Sequence, residues 1–189
     1  MKIGLGITGS FCTHARILEE IKKLAEKGYD ILPIVTESVF TTDTRFGTAK
    51  NFLSSLEEIT KKEVISNITS AEPIGPKGKI DIMVVAPCTG NTLSKLANSI
   101  TDNAVTMTTK SLMRNSKPIV IGVSTNDALG LNMQNLAKLM ASKNIYFVPM
   151  RQDDPLNKPK SLVADWSKLE DTILLAMQGE QIQPLFVNS

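Results

Sequence analysis

The feature that most constrains the fold of this chain is a short apolar segment that a brief loop joins to a helical pattern. Residues 82–85, Ile-Met-Val-Val, are too few for a helix and rich in β-branched residues, which indicates a buried strand of a parallel sheet. Residues 92–100 carry apolar side chains at helical spacing. Small hydroxyl and amide residues lie between them at 89–91. Such a loop directs backbone N–H groups, hydroxyls and the positive end of a helix to one point, which favours phosphate binding.

Two more strands end in the same kind of loop. The pattern predicts strands at 2–8 and 30–36, and a helix over 13–27 that ends at Gly28. The polar residues at these two strand ends are Gly9, Ser10, Thr36, Glu37 and Ser38. Because parallel strands place their carboxyl ends at one edge of the sheet, we expect the loops to form one ligand site there.

The rest of the chain continues to alternate strands with helices. The further elements predicted are strands near 64–65 and at 81–86, 118–123 and 145–148, helices at about 45–60, 91–100, 104–114, 132–143 and about 162–177, and a linker at 71–78. This order implies right-handed crossovers and an α/β fold with a doubly wound, mostly parallel sheet between two helical layers. At 189 residues we expect a single domain over 1–189, whose segment 150–189 forms a closing helix and tail.

Composition excludes several classes of function. The net charge is only +2 and the lysines are scattered, which argues against nucleic acid as a partner. No apolar run has the length of a membrane span, and the amino terminus lacks a signal-peptide pattern. Two cysteines form no disulfide framework, which favours a reducing cytoplasm. Cys12, Cys88 and the only histidine, His14, have no metal-ligand spacing, so we expect no metal site.

The segment 4–9 satisfies the dinucleotide pattern G-x-G-x-x-G. Only three residues precede Gly4, however, whereas the pattern should follow a strand. We therefore favour the interpretation that Gly4 and Gly6 lie inside the strand and permit close packing. Glu37, at the end of the second strand, is the feature that keeps a ribose-binding, nicotinamide interpretation open.

Several polar residues have both a functional and a structural interpretation. Serine and threonine at strand ends also cap helices, but their presence at three aligned strand ends favours a ligand. His14 is either an acid–base group or an exposed or half-buried helix residue, and we favour the second interpretation. Cys88 is expected to be buried and inert. Asn126 and Asp127 either cap the next helix or face the ligand edge. Four basic residues are either anchors for an acidic substrate or solvated surface residues, namely Arg45, Lys110, Arg114 and Arg151.

The motifs at 6–10, 86–97 and 101–103 resemble a flavoprotein family, that of the FMN-dependent cysteine decarboxylases and flavin prenyltransferases. The resemblance implies a Rossmann-like fold that binds FMN and assembles as a homo-oligomer, a trimer or larger. It places Gly9, Ser10, Phe11, Thr36 and Ser38 along the FMN phosphate and ribityl chain. It places Thr89, Gly90, Asn91 and Thr92 near the phosphate or the isoalloxazine ring.

Two departures from that family argue against cysteine decarboxylation. The cysteine decarboxylases carry a catalytic histidine before the Ala-Pro motif, and residues 68–76 contain none. They also carry Pro-x-Met-Asn where this chain has Ser-Thr-Asn-Asp at 124–127, so that only Asn126 matches.

A narrower family resembles nearly the whole chain, namely the B subunits of dipicolinate synthase. The matching segments are 42–47, 71–76, 123–131, 146–149, 152–155, 161–165 and 181–184. The resemblance implies a spore-forming bacterium, expression in the mother-cell cytoplasm, and an A subunit that carries a nicotinamide-binding domain. The implied reaction is the oxidation of dihydrodipicolinate to dipicolinate with NAD(P).

These observations leave three hypotheses. In the first, the chain is a redox subunit with FMN at the three loops and a pyridine dicarboxylate beside it, held by Arg45 or Arg114 and oriented by Asn126. In the second, it is a non-catalytic binding subunit, and the A subunit performs the chemistry. In the third, it is a flavin prenyltransferase or a decarboxylase of another substrate. None of the three assigns a catalytic residue.

Overall fold

The structure, a computed structural model, describes residues 1–75, 78 and 80–188, and one sheet organises them. Within them the sheet has seven strands in the order β2-β1-β3-β4-β7-β6, with β5 also paired to β4. The strands are β1 (Lys2–Ile7), β2 (Asp30–Val35), β3 (Ile82–Cys88), β4 (Ile119–Thr125), β5 (Ile145–Phe147), β6 (Met150–Arg151) and β7 (Leu162–Ala164). β1 to β5 pair with one another in parallel, whereas β7 pairs antiparallel with both β4 and β6. The predicted mostly parallel sheet is confirmed.

Helices cover both faces of this sheet. They are α1 (His14–Glu26), α2 (Glu37–Thr41), α3 (Ala49–Thr60), α4 (Ile68–Ala71), α5 (Gly90–Ala97), α6 (Ala104–Arg114), α7 (Met133–Met140) and α8 (Leu169–Met177). Short 3-10 helices occupy Phe11–Thr13, Glu72–Ile74 and Trp166–Lys168. No helix among the described residues has both the length and the apolar character that a bilayer crossing requires.

Alternate side chains of β3 enter two separate cores. Ile82 and Val84 pack with apolar residues of α1, α3 and α8 on one face. Met83 and Val85 pack with those of α5, α6 and α7 on the other. Because both faces of a parallel sheet are covered, its strands are apolar at every position, as the continuous run at 82–85 indicated. The result is the predicted three-layer α/β/α arrangement, doubly wound and Rossmann-like.

The glycines of β1 pack against neighbouring side chains, as predicted. A Cβ added to Gly6 would lie 2.7 Å from Met83 Cε and 2.8 Å from Val105 Cγ1, and one added to Gly4 would collide with Ile80. Both glycines therefore let α6 and the segment before β3 approach the sheet closely. The G-x-G-x-x-G match at 4–9 runs through a strand and its turn rather than through a strand-to-helix loop.

The helix predicted at about 45–60 begins only at Ala49. Residues 44–47 instead form a tight turn, in which Thr44 N–H donates to Gly47 O and Gly47 N–H donates to Thr44 O, at 3.0 and 3.1 Å. Thr48 then caps α3 by accepting the N–H of Asn51. The sequence pattern does not predict α2, because about one and a half turns of helix are too short to show periodicity.

The linker predicted at 71–78 is helical where the structure describes its start. Asn67 caps α4, and a 3-10 turn continues to Ile74, which is buried with Ala71 in the core. Pro73 fits here because it lies in the first turn, where no N–H is needed. Residues 76 and 77 lie outside the described part of the chain. The strand expected near 64–65 is reduced to a single bridge between Ile65 and Ile34.

The carboxyl-terminal helix also starts later than predicted, at Leu169 instead of about 162. Leu162 and Ala164 are buried alternately in the antiparallel strand β7, which pairs with the end of β4. β5 occupies the same side of β4 further back, at 119–121. The carboxyl end of β4 is therefore free to pair with β7. The segment 152–161, which leads into β7, lies at the edge of the sheet where β1, β3 and β4 end.

Candidate functional site

Loops from the ends of β1, β2 and β3 enclose a cavity of about 420 Å³, which we call the loop cavity. Of the residues predicted to bind a cofactor, those that line it are Gly9, Phe11, Thr36, Ser38, Thr89, Asn91 and Thr92. Two others lie nearby: Ser10 lines the adjacent cavity described below, and Gly90 is buried behind the loop. The parallel pairing of the three strands brings these residues together from three distant parts of the sequence.

Thr8 ties the loops after β1 and β3 to each other. Its buried Oγ1 donates to the Pro87 carbonyl at 2.7 Å and accepts the N–H of Thr89 at 3.0 Å. The ring Nε2–H of His14 donates to the Thr8 carbonyl at 2.9 Å. Because Thr8 joins both loops, the relative position of Gly9 and Thr89 is set by the protein before any ligand arrives.

The amino-terminal turn of α5 faces the loop cavity. Thr89 caps the helix by accepting the N–H of Thr92 at 3.3 Å, and its side chain also lines the cavity. The N–H groups of Gly90 and Asn91 belong to the first turn, where a helix provides no internal acceptor. Together with the positive end of the helix dipole they favour an anion at this point.

The charged residues of the loop cavity are arranged at its rim. Lys95 Nζ lies 2.6 Å from Asp102 Oδ2, and this hydrogen bond lowers the pKa of Asp102 below its ordinary value. Glu37 also lines the cavity, from the exposed first turn of α2. The loops that the structure brings together thus offer mainly hydroxyl and amide donors.

A second cavity of about 560 Å³, the central cavity, adjoins the first and shares Gly9, Phe11 and Thr89 with it. Its floor carries three hydroxyls in mutual contact. Ser124 Oγ lies 2.7 Å from Ser10 Oγ and 2.9 Å from Thr13 Oγ1, and the last two lie 3.2 Å apart. We call them the hydroxyl cluster.

Ser124 and Thr13 are not among the site residues predicted from the sequence. Ser124 lies near the carboxyl end of a fourth parallel strand, β4, so its position relative to that strand resembles that of the polar residues after the first three. Thr13 is one of the residues that join the turn after β1 to α1, and only the 3-10 geometry of Phe11–Thr13 turns it towards Ser10.

Two of the three predicted substrate residues line the central cavity, Arg45 and Asn126. The guanidinium carbon of Arg45 lies 4.9 Å from the centre of the Phe46 ring. Arg114 lies elsewhere, beside Glu72 and Lys110. It ends α6, which starts at the edge of the loop cavity and runs for 11 residues, or about 16 Å, away from it. The structure therefore does not bring Arg114 to this site.

The capping role considered for Asn126 and Asp127 is wrong, because α7 starts only at Met133. Asp127 instead closes a turn by accepting from Thr125 Oγ1 at 2.6 Å and from Asn132 Nδ2 at 2.7 Å. A Cβ on Gly90 would lie 2.7 Å from each of the same three side chains. This turn packs against α5 behind the site and leaves Asn126 exposed at the cavity.

His14 is buried, which corrects the expectation of an exposed or half-buried residue. It is 7% exposed, stacks on Phe52 with ring centres 4.3 Å apart, and lies 5.1 Å from the Phe11 ring. These three residues and Phe46 line an apolar cavity of about 330 Å³ next to the central one. Burial lowers the pKa of His14, although its bond to the Thr8 carbonyl opposes the effect.

We expect His14 to make stability depend on pH. Because its pKa is lower in the folded state than the ordinary 6.5, the unfolded chain takes up the proton more readily. Stability should therefore be fully present above pH 6.5 and fall as the pH drops below that value. Urea midpoints at pH 7.5 and 5.5 should show a smaller loss for His14→Gln than for the unsubstituted protein. An equal loss in both would contradict this assignment.

Cys88 is fully buried, as expected, and burial raises its pKa far above the ordinary range, so that it stays a neutral thiol. Cys12 is exposed beside the central cavity. Across the described residues no group of three His, Cys, Asp or Glu side chains is placed to hold a metal ion.

Comparison with known proteins agrees with this architecture. The family model described as Flavoprotein matches residues 1–177. The B subunit of dipicolinate synthase from Bacillus subtilis is 47% identical over 188 residues, which cover 100% of this chain and 94% of that protein. The crystal structure of the corresponding dipicolinate synthase B subunit from Bacillus halodurans superposes with a TM-score of 0.91 at 47% identity, covering 100% of this chain and 96% of that one.

A more distant structure shows the same fold. The FMN-dependent cysteine decarboxylase SpaF superposes with a TM-score of 0.69 at 17% identity, covering 95% of this chain and 97% of that one. The full-length match at 47% identity and the family model over most of the chain lead to one conclusion: the chain belongs to the flavoprotein family, and within it to the dipicolinate synthase B subunits.

Proposed function

We propose that this chain binds FMN in the loop cavity and takes part in oxidising dihydrodipicolinate to dipicolinate beside it. The proposal assigns it a partner A subunit, which supplies NAD(P), and a place in the mother cell of a sporulating bacterium. The observation that carries it is the meeting of a hydroxyl-lined anion site with a second cavity that contains Arg45 and Asn126. The 47% identity to a dipicolinate synthase B subunit supports the choice of reaction.

The donors of the loop cavity fit a phosphate monoester joined to a polyol chain. The Thr89 loop and the first turn of α5 supply an anion site, while Thr36 and Ser38, whose hydroxyls lie 3.0 Å apart, suit a neighbouring hydroxyl or phosphate oxygen. The residues proposed to hold FMN are Gly9, Ser10, Phe11, Thr36, Ser38, Thr89, Gly90, Asn91 and Thr92. FMN, when bound, supplies an acceptor for the two electrons that leave the substrate ring.

The central cavity suits the substrate because it opens from the same edge. Arg45 can bind a carboxylate through its guanidinium fork, and its position on the Phe46 ring limits the conformations available to it. Asn126 and the hydroxyl cluster can orient the ring by hydrogen bonds, since each offers both donors and acceptors. Phe11 and Phe46 add apolar surface to this space, against which a ring can pack.

A second candidate, a binding subunit without chemistry of its own, follows from what lines the central cavity. Its ionisable side chains from the described residues are Cys12, Arg45, Asp153 and Lys158. Asp153 is the carboxylate among them, and it is paired with Lys158. This set favours holding an anion over moving a proton, so the A subunit would perform the oxidation in that case.

The test combines a spectrum with reconstitution. We expect the purified chain to show flavin absorption bands, or to titrate to one FMN per chain, and to form dipicolinate only when mixed with the A subunit. Stoichiometric flavin with turnover that depends on it supports the redox subunit. Turnover that requires the chain but no flavin supports the binding subunit. Flavin binding with no requirement for this chain in dipicolinate formation would refute both and favour a prenyltransferase or decarboxylase. Sedimentation of the same samples measures the expected homo-oligomer, a trimer or larger.

A further inference from the structure

We propose that Lys158 is a second carboxylate anchor, which together with Arg45 makes the central cavity selective for a planar dicarboxylic acid. The inference rests on the proposed function and extends it to a residue outside the site predicted from the sequence. Both cations line the same cavity, although 113 positions separate them in the sequence, from 45 to 158.

The sheet topology brings the two cations in from different directions. Arg45 lies in the turn that follows β2 and α2, on one side of β1. Lys158 lies in the segment that leads into β7, beyond β4. Three strand spacings separate β2 from β4, or about 14 Å. Two basic side chains that line one cavity from these two sides suit an anion with a charge at each end.

The backbone around Lys158 is ordered by its own hydrogen bonds. Asp154 Oδ1 accepts the N–H of Asn157 at 3.0 Å, and the Asp154 carbonyl accepts the N–H of Lys158 at 2.8 Å. The carbonyl of Lys158 accepts the N–H of Ser161 at 3.0 Å. Leu129 N–H also donates to the Lys160 carbonyl at 2.9 Å, which ties the segment to the turn after β4. A segment ordered in this way loses less conformational entropy when it binds a ligand.

Asp153 positions the ammonium of Lys158 without using up its donors. Lys158 Nζ lies 3.3 Å from Asp153 Oδ2, and an ammonium has three N–H donors. Burial acts against ionisation of Asp153, but Ser161 and Lys158 lower its pKa, so it remains a carboxylate. The charged side chains that the described residues contribute to the cavity are then two basic ones and one acidic one, which leaves an excess of positive charge for the ligand.

Arg45 is held in a comparable way on the other side. Its turn is closed by the two hydrogen bonds between Thr44 and Gly47, and its guanidinium rests on the Phe46 ring. The cavity volume of about 560 Å³ lies in the range usual for small-ligand sites, about 300–1,000 Å³. The hydroxyl cluster lines the same cavity as the two cations.

The test compares a dicarboxylate with its monocarboxylate analogue. Binding of pyridine-2,6-dicarboxylate and pyridine-2-carboxylate to the chain, with and without added FMN, is measured by calorimetry in metal-free buffer. We expect the unsubstituted chain to prefer the dicarboxylate at least about tenfold, the scale of one charged hydrogen-bonded pair. Lys158→Gln should lower dicarboxylate affinity about tenfold and leave monocarboxylate affinity within about twofold. Lys158→Arg, which keeps the charge, should retain most of the preference.

Lys160→Gln is the matched control, because Lys160 lies in the same segment but its side chain packs towards Gly130. It should leave both affinities unchanged. Equal losses for the two probes in Lys158→Gln, no loss for either, or no binding of either probe to the unsubstituted chain would overturn the inference. The proposed function is judged separately by flavin titration and by turnover with the A subunit. Normal turnover with an unchanged KM in Lys158→Gln would overturn only the second anchor.

Discussion

Replacing Thr89 with aspartate is expected to lower the affinity for FMN at least about 100-fold while α5 stays intact. Aspartate caps helices as well as threonine does, so the N–H of Thr92 keeps its acceptor. The new carboxylate would face the loop cavity at the point proposed for the phosphate. Like charges placed together at a binding site cost several kcal/mol, and a factor of 100 corresponds to about 2.7 kcal/mol.

Two comparisons isolate the charge effect. Riboflavin lacks the phosphate, so Thr89→Asp should change its affinity much less than that of FMN, as measured by flavin fluorescence titration. Thr48→Asp makes the same substitution at the cap of α3, and Thr48 lines the apolar cavity beside His14 and Phe52 instead. It should leave FMN binding within about twofold. Equal weakening of FMN and riboflavin, or no weakening of either, would move the phosphate away from the start of α5.

Gly6→Val is expected to destabilise the fold by about 3 kcal/mol, the upper part of the usual range for overpacking. The Cβ alone would lie 2.7 Å from Met83 Cε and 2.8 Å from Val105 Cγ1, and valine adds two methyl groups to that space. Met83 and Val105 are fully buried and belong to the same core, so neither has free space to enter. Urea unfolding of the flavin-free chain measures the loss.

A second substitution tests the cause of that loss. Val105→Ala removes methyl groups that the new side chain meets. The loss of unfolding free energy in the double variant Gly6→Val/Val105→Ala should therefore be smaller, by about 1 kcal/mol or more, than the sum of the losses in the two single variants. Strict additivity would show that the clash with α6 is not the reason. Unchanged stability together with weakened binding of a nicotinamide dinucleotide would revive the dinucleotide interpretation of residues 4–9.

The sequence predicted the part of the site that depends on parallel strands. Apolar runs at 2–8, 30–36 and 81–86 identify buried strands, and the polar residues after them must then share an edge. Helix α6 was also predicted with its observed bounds, and in the structure a capping box of Asn103 and Thr106 marks its start. These features are encoded within a few neighbouring residues.

Elements whose form depends on distant contacts were predicted less well. Residues 162–164 have the same apolar character in a strand or in a helix, and their pairing with Ser124 and Thr125 decides for the strand. The residues next to His14 in the sequence give no indication that its ring stacks on Phe52, which lies 38 positions further along the chain, at 52. Arg114 was selected for its charge alone, and the direction of α6 carries it away from the site.

The sequence by itself determined the layers of this protein, the parallel core of its sheet and the hydroxyl loops after three strands, because strand and helix periodicity and capping act over short distances. Only the tertiary structure decided what completes the second cavity. The antiparallel return of β7 brings Lys158 towards Arg45, and the pairing of β4 with β3 brings Ser124 against Ser10. These residues come together because separate strands share one edge of the sheet, and no single segment of the chain specifies which strands are neighbours.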